Sequence, residues 1–240
     1  MPLSIQIAVC TIILGCLAQP ARAQETSILE TRDAVRQMAF DPATFFPSPY
    51  IKDRSVIRIT YTGDDYGWPV YAIAIAEGCI DQENVRQDDC KSRLRARMVR
   101  APAPPNLTRA RQRGVHLVTR LVERGATSPE LMRTALDQLG VEWLEADLRT
   151  CSGAMETLQQ STEAVWVPDA VSDPTPDDEM AGLVLHADIV QVEIQQYARR
   201  TTYVGWLAAG SPAVWAEALA TVLEPCWRPA NVSVPWSAPD

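Results

Sequence analysis

The alternation of apolar and polar positions divides the chain into helical and extended stretches. In TSILETRDAVRQMA (26–39), Ile28, Val35 and Met38 fall near one face of a helix, and Ser27 and Glu30 have capping-box spacing. FDPATFFPSPY then breaks the helix with three prolines, and its Phe and Tyr rings are expected to dock on a core. Two strands follow. In SVIRITYT, Val56 leads and Ile57, Ile59 and Tyr61 alternate with Arg58 and Thr60; in WPVYAIAIA, Val70 precedes Tyr71, Ile73 and Ile75 at period two. GDDYG between them supplies a hairpin turn longer than two residues.

KSRLRARM (91–98) fits two templates. As a strand it would set Lys91, Arg93, Arg95 and Arg97 on one basic face; as a helix it would align Leu94 with Met98, and Arg93 with Arg97 and Arg100. The helix propensity of Arg, Leu, Ala and Met tips the reading to helix. APAPPN (101–106) is an extended connector and the best internal boundary. Beyond it, LTRARQRGVHLVTRLVERG predicts a helix with Val115, Val118 and Val122 near one face, ending at Gly125. SPELMRTALDQLG predicts another, with Ser128 as N-cap, Pro129 at the first helical position and Gly140 as stop. VEWLEADLRTCSGAMETLQQ reads as one or two short helices with Cys151 near their junction.

PDAVSDPTPDDEM is an exposed loop, after which Val190, Val192 and Ile194 alternate with Gln191, Glu193 and Gln195 as a strand. A further strand runs from about Thr201 to Leu207, and a final helix opens at Ser211 and Pro212. No internal repeat is present. The order predicts an α+β fold: a mainly antiparallel sheet of about four to five strands packed with helices on one face, in a single domain over 24–240.

The amino terminus changes where such a domain would work. An apolar run from Ile5 to Leu17 is followed by Ala21-Arg22-Ala23, so residues 1–23 are expected to be a signal peptide, although no Lys or Arg precedes the run. The run is too short for a bilayer span. ILGC, ending at Cys16, has lipobox form but Leu14 fits it poorly, leaving lipid anchoring at Cys16 as the lesser alternative. Cleavage after Ala23 removes Arg22 and no acid, so the formal charge passes from −8 to −9. Export to the periplasm or beyond the cell follows. The abundance of Arg, Ala and Pro points to a GC-rich bacterial genome, in which the two Asn sequons carry no weight.

An oxidising compartment gives Cys79, Cys90, Cys151 and Cys226 a purpose: two disulfides, with Cys79 to Cys90 and Cys151 to Cys226 favoured among three connectivities. CxxC-like zinc pairs are absent. The loop between the first two carries Asp81, Glu83, Asp88 and Asp89 but lacks the central Gly and terminal Glu of an EF-hand. No metal site and no cofactor motif is expected.

Candidate chemistry is sparse. His186 and Asp188 lie two apart and could orient a general base, or with Glu193 contribute to a metal site, but GxSxG, HExxH and phosphate-cradling Gly motifs are missing and a structural or surface His186 is the favoured reading. His116 sits among helical valines and leucines and reads as structural. Between Arg86 and Arg113 there are nine basic residues and two acids, whereas acids dominate from Asp137 onward. That polarity is either a docking face for an anionic partner, with Arg93, Arg95, Arg97, Arg100 and Trp68 as binding residues, or a solvated face or ion pairing with the acidic half of the same domain. An acidic chain is not a general nucleic-acid binder. Of seven tryptophans, Trp206 and Trp215 read as core, and Trp68 and Trp236 as surface candidates. The expectation is an exported, non-catalytic binding or accessory module recognising an anionic macromolecule or acidic protein surface in the envelope. The alternative is a secreted hydrolase acting on glycans or peptides through carboxylates or the His/Asp pair.

Overall fold

A computed structural model describes residues 19–46, 56–63, 66–78, 93–163, 188–196, 199–207 and 211–237. Its centre is the expected hairpin. β1 (Val56–Gly63) and β2 (Trp68–Gly78) pair antiparallel with Ile57 opposite Ile75 and Ile59 opposite Ile73. These β-branched residues fill one face, while the alanines of β2 keep the other face shallow.

Five further strands extend the hairpin. β3 (Arg93–Arg100) and β4 (Glu142–Asp147) continue from β2, and the two-residue β7 (Arg228–Pro229) closes that side. β5 (Ile189–Gln196) and β6 (Arg199–Trp206) continue from β1 on the other side. The result is an antiparallel sheet of seven strands in the order β6-β5-β1-β2-β3-β4-β7, more than the pattern predicted. Strands from both sides of 101–106 join this one sheet.

The basic segment is therefore a strand and not a helix, and the stretch expected to be helical before Cys151 begins as a strand. The two corrections share a cause. Arg100, Arg97 and Arg95 stand opposite Glu142, Glu145 and Asp147 in the β3–β4 register, and such cross-strand charge pairs contribute about 0.2–1 kcal/mol each. Apolar residues gain as well: Val99 faces Trp143 and Ala96 faces Ala146, all buried. Tertiary pairing outweighs the small helix propensities of single residues.

Helices cover both faces, where one covered face was expected. On the first lie α1 (Gln19–Ala39), α2 (Arg111–Glu123) and α3 (Pro129–Gln138), over Ala72, Ala74, Ala76, Val99 and Trp143. On the second lie α4 (Ala154–Glu163) and α5 (Pro212–Leu223), over Ile59, Ile73, Met98, Val190 and Val192. α1 begins at Gln19, upstream of Ser27, so Ser27 is inside the helix and does not cap it. The Ser-Pro starts behave as read: the hydroxyls of Ser128 and Ser211 accept from the amides of Leu131 and Val214. α2 buries Gly114, Leu117, Val118 and Leu121 and leaves Val115 exposed, so its inner face is rotated from the expected one. Gly114 explains the close seat of α2, because a Cβ there would lie 2.6 Å from the Pro69 carbonyl oxygen.

One disulfide lies among the described residues, Cys151–Cys226, which ties the β4–α4 link to the end of α5 across 75 positions. Cys79 and Cys90 lie outside the described residues, as do the acidic loop they bracket, His186 and Trp166. No helix among the described residues is long and apolar enough to cross a membrane.

Candidate functional site

The arginines of β3 do not form one outward stripe. Arg97 is 4% exposed and lies beneath the segment that follows α1. Its Nη1 donates to the Phe45 carbonyl oxygen at 2.7 Å, and its guanidinium carbon sits 4.6 Å from the centre of the Phe46 ring. Arg100 projects to the opposite face and donates to Glu142 and, at 2.7 Å, to Glu224. Burial works against its charge, but those two carboxylates outweigh burial and raise its pKa. The neighbouring Arg113 moves the other way, first through burial and then through Arg100. Arg95 joins Glu145, Asp147 and Arg228 around an opening of about 440 Å³ in which both signs of charge balance. Arg93 is described only as the first residue of β3.

A different set of arginines converges on the first face of the sheet, where among the described residues the helical cover stops short of β5 and β6. Period two places Arg58 and Thr60 of β1 on this face, and register brings Glu193 opposite Arg58 and Gln191 opposite Thr60. α1 walls the space with Asp33, Arg36, Gln37 and Phe40, which recur at helical spacing. Asp41, Pro42 and Ala43 close one end, and Arg200 of β6 stands at the rim. The cleft measures about 430 Å³.

Glu193 organises it. Only 4% exposed, its carboxylate accepts from Arg58 through one oxygen and from Arg200 through the other. A carboxylate buried this deeply is tolerated because two guanidinium groups neutralise it. The other acids of the lining are also engaged. Asp33 accepts from Arg32, and Asp41 accepts from the Ala43 amide at 2.9 Å. The donors are not used up. Arg36 makes no hydrogen bond or ion pair among the described residues, and its Nη1 rests where the side chain of residue 67 would otherwise be, 3.0 Å from the Cβ that Gly67 lacks. The Arg58 Nε is buried with no hydrogen-bond partner among the described residues. Each guanidinium carries five N–H groups in a fork that matches an oxyanion.

Of the residues expected to serve a hydrolase, Asp188 and Glu193 are described, and they lie on opposite faces of the sheet. Glu193 points to the first face, whereas Asp188 accepts a 2.7 Å hydrogen bond from Tyr61, whose ring is on the second. Burial, then the bond to Asp188, drives the Tyr61 hydroxyl pKa well above its ordinary value; burial and the nearby Glu217 do the same for Tyr71, which stacks on Tyr61 at 5.0 Å. His116 lies half-buried on α2, away from the cleft lining.

The tryptophans also change places. Trp236 is 2% exposed and donates to Asp137, so it belongs to the core. Trp68 is half-buried against α2 and the core. Trp215 is core as expected, but Trp206 is 51% exposed on β6. Trp206, Arg36, Arg58 and Arg200 were the functional candidates that sequence reasoning passed over. The one available signal was Arg58 itself, a charge at a polar position of the β1 alternation. No family model, curated protein or solved structure matches this chain.

Proposed function

We propose that the protein is an exported, non-catalytic binding or accessory module of the bacterial envelope, and that the cleft between α1 and strands β1, β5 and β6 takes the anionic group of a macromolecular partner. The observation that carries this reading is the asymmetry of the cleft: its carboxylates are engaged within the protein, while Arg36 makes no hydrogen bond or ion pair among the described residues. Charge-assisted bonds from a planar guanidinium fork to an oxyanion are among the stronger polar contacts available. Export is supported by the apolar run from Ile5 to Leu17 ahead of Ala21-Arg22-Ala23 and by the Cys151–Cys226 bridge, which favours an oxidising compartment.

The test is retention of the oxidised protein on immobilised polyanions: polygalacturonate, polyglutamate, and vesicles containing phosphatidylglycerol. Retention on at least one, released by salt, is expected. Arg36→Ser with Arg200→Ser should abolish it, whereas Arg109→Ser with Arg120→Ser, which removes the same charge from exposed positions, should not. No retention on any matrix, or equal loss in both double variants, would refute a specific site. Loss with Arg93→Ser and Arg95→Ser alone would move the site back to β3.

A further inference from the structure

We infer, building on the cleft as an anion site, that its ligand is an acidic oligosaccharide. An oxyanion borne on one sugar would enter the arginine cleft, and a second ring would lie on Trp206. The evidence is the surface that continues from the cleft. Register sets Arg200, Thr202, Val204 and Trp206 of β6 opposite Gln195, Glu193, Gln191 and Ile189 of β5, so all share the face that carries the cleft. Val204 is 62% exposed and Trp206 51%, at the end of the sheet where no further strand is paired among the described residues. Arg200 and Trp206 lie six residue steps apart along the strand, a span of about 20 Å at roughly 3.3 Å per residue. A single small anion would occupy only one end of such a platform.

Three features fit a sugar chain better than an acidic peptide. The face carries hydroxyl and amide groups of Thr60, Gln191 and Thr202 that can pair with ring hydroxyls. It offers a broad indole for the C–H face of a ring. Its other exposed positions among the described residues of β5 and β6, Gln191, Arg200 and Thr202, are polar and do not suit the apolar side chains by which sheets select peptides. Carboxylated and sulfated sugars present the same oxyanion to a guanidinium fork, so the shared chemistry is an acidic sugar and the experiment separates the two.

The experiment is calorimetric titration of the full oxidised protein with an oligogalacturonate of four to six units, a heparin-derived hexasaccharide, a neutral galacto-oligosaccharide and polyglutamate, with tryptophan fluorescence recorded alongside. One or both acidic oligosaccharides should bind and shift the fluorescence, and the neutral one should not. Trp206→Ala should weaken binding about tenfold and remove the fluorescence shift, and Arg36→Ser with Arg200→Ser should weaken it at least about tenfold. Trp206→Phe, which keeps an aromatic face, should stay within about threefold of the parent. Polyglutamate bound in an arginine-dependent way with no acidic sugar bound would overturn the oligosaccharide and leave the anion cleft standing. Unchanged affinity in Trp206→Ala would overturn the platform. Acidic-sugar binding indifferent to Arg36 and Arg200 would overturn both.

Discussion

Arg97 and Arg58 occupy the same cross-strand row on the same face of the sheet, with only Ala74 between them. Arg97 is sealed beneath Phe45 and Phe46, its charge met by a carbonyl oxygen and aromatic rings. Arg58 is held by a buried carboxylate and borders an open cleft. The strand environment is the same, and what differs is the cover. Among the described residues, α1 and the turn after it lie over β2 and β3, and the cover ends before β5. Whether an arginine on this sheet is structural or available is decided by elements remote in sequence.

The largest expected effect concerns the closed side. Replacing Cys151 and Cys226 by Ser opens a loop of 75 positions and should cost about 4.5 kcal/mol in the chain-entropy account, measured by urea unfolding. Anion retention under native conditions should survive, because the bridge is on the second face; parallel loss of retention would tie the two regions together. Next comes Glu193→Gln, which strands Arg58 without its counter-charge and should cost about 3–5 kcal/mol. A cost under about 1 kcal/mol would mean that this ion pair does not organise the cleft.

Arg97→Met should cost less, about 1–3 kcal/mol, for the Phe45 carbonyl left without its donor, and should not alter anion binding. If it weakened binding as much as Arg200→Ser, the contrast between sealed and open arginines would fail. Alkaline pH probes the face behind the cleft. Unfolded tyrosines ionise near pH 10, while folded Tyr61 and Tyr71 hold their protons to higher pH. Above pH 10 the unfolded state therefore binds fewer protons, and stability falls as pH rises by up to about 1.4 kcal/mol per pH unit for each hydroxyl. Tyr61→Phe should flatten that slope. The smallest stability effect is expected for Arg200→Ser, under about 1 kcal/mol because Arg200 is mostly exposed.

Local signals in the sequence are legible where they act locally. The β1–β2 hairpin, the β5 alternation and the Ser-Pro helix starts all appear near their expected positions. β3 and β4 were missed because their identity lies in each other. Arg95, Arg97 and Arg100 are spaced two then three, and Glu142, Glu145 and Asp147 three then two, the mirrored spacing that antiparallel charge pairing requires. Either segment alone is ambiguous between helix and strand, and only the two compared would reveal the match. The cleft is harder still. Arg36, Arg58, Glu193 and Arg200 come from a helix and three strands, brought together by the placement of β5 and β6 beside β1.

The most direct test of the cleft is arginine modification by phenylglyoxal, followed by peptide mass spectrometry, with and without the polyanion that retains the protein. If the anion enters the cleft, it slows modification of Arg36 and Arg200 and leaves exposed Arg120 and Arg124 reacting at their free rates. Equal protection of all four, or protection confined to Arg93 and Arg95, would contradict it.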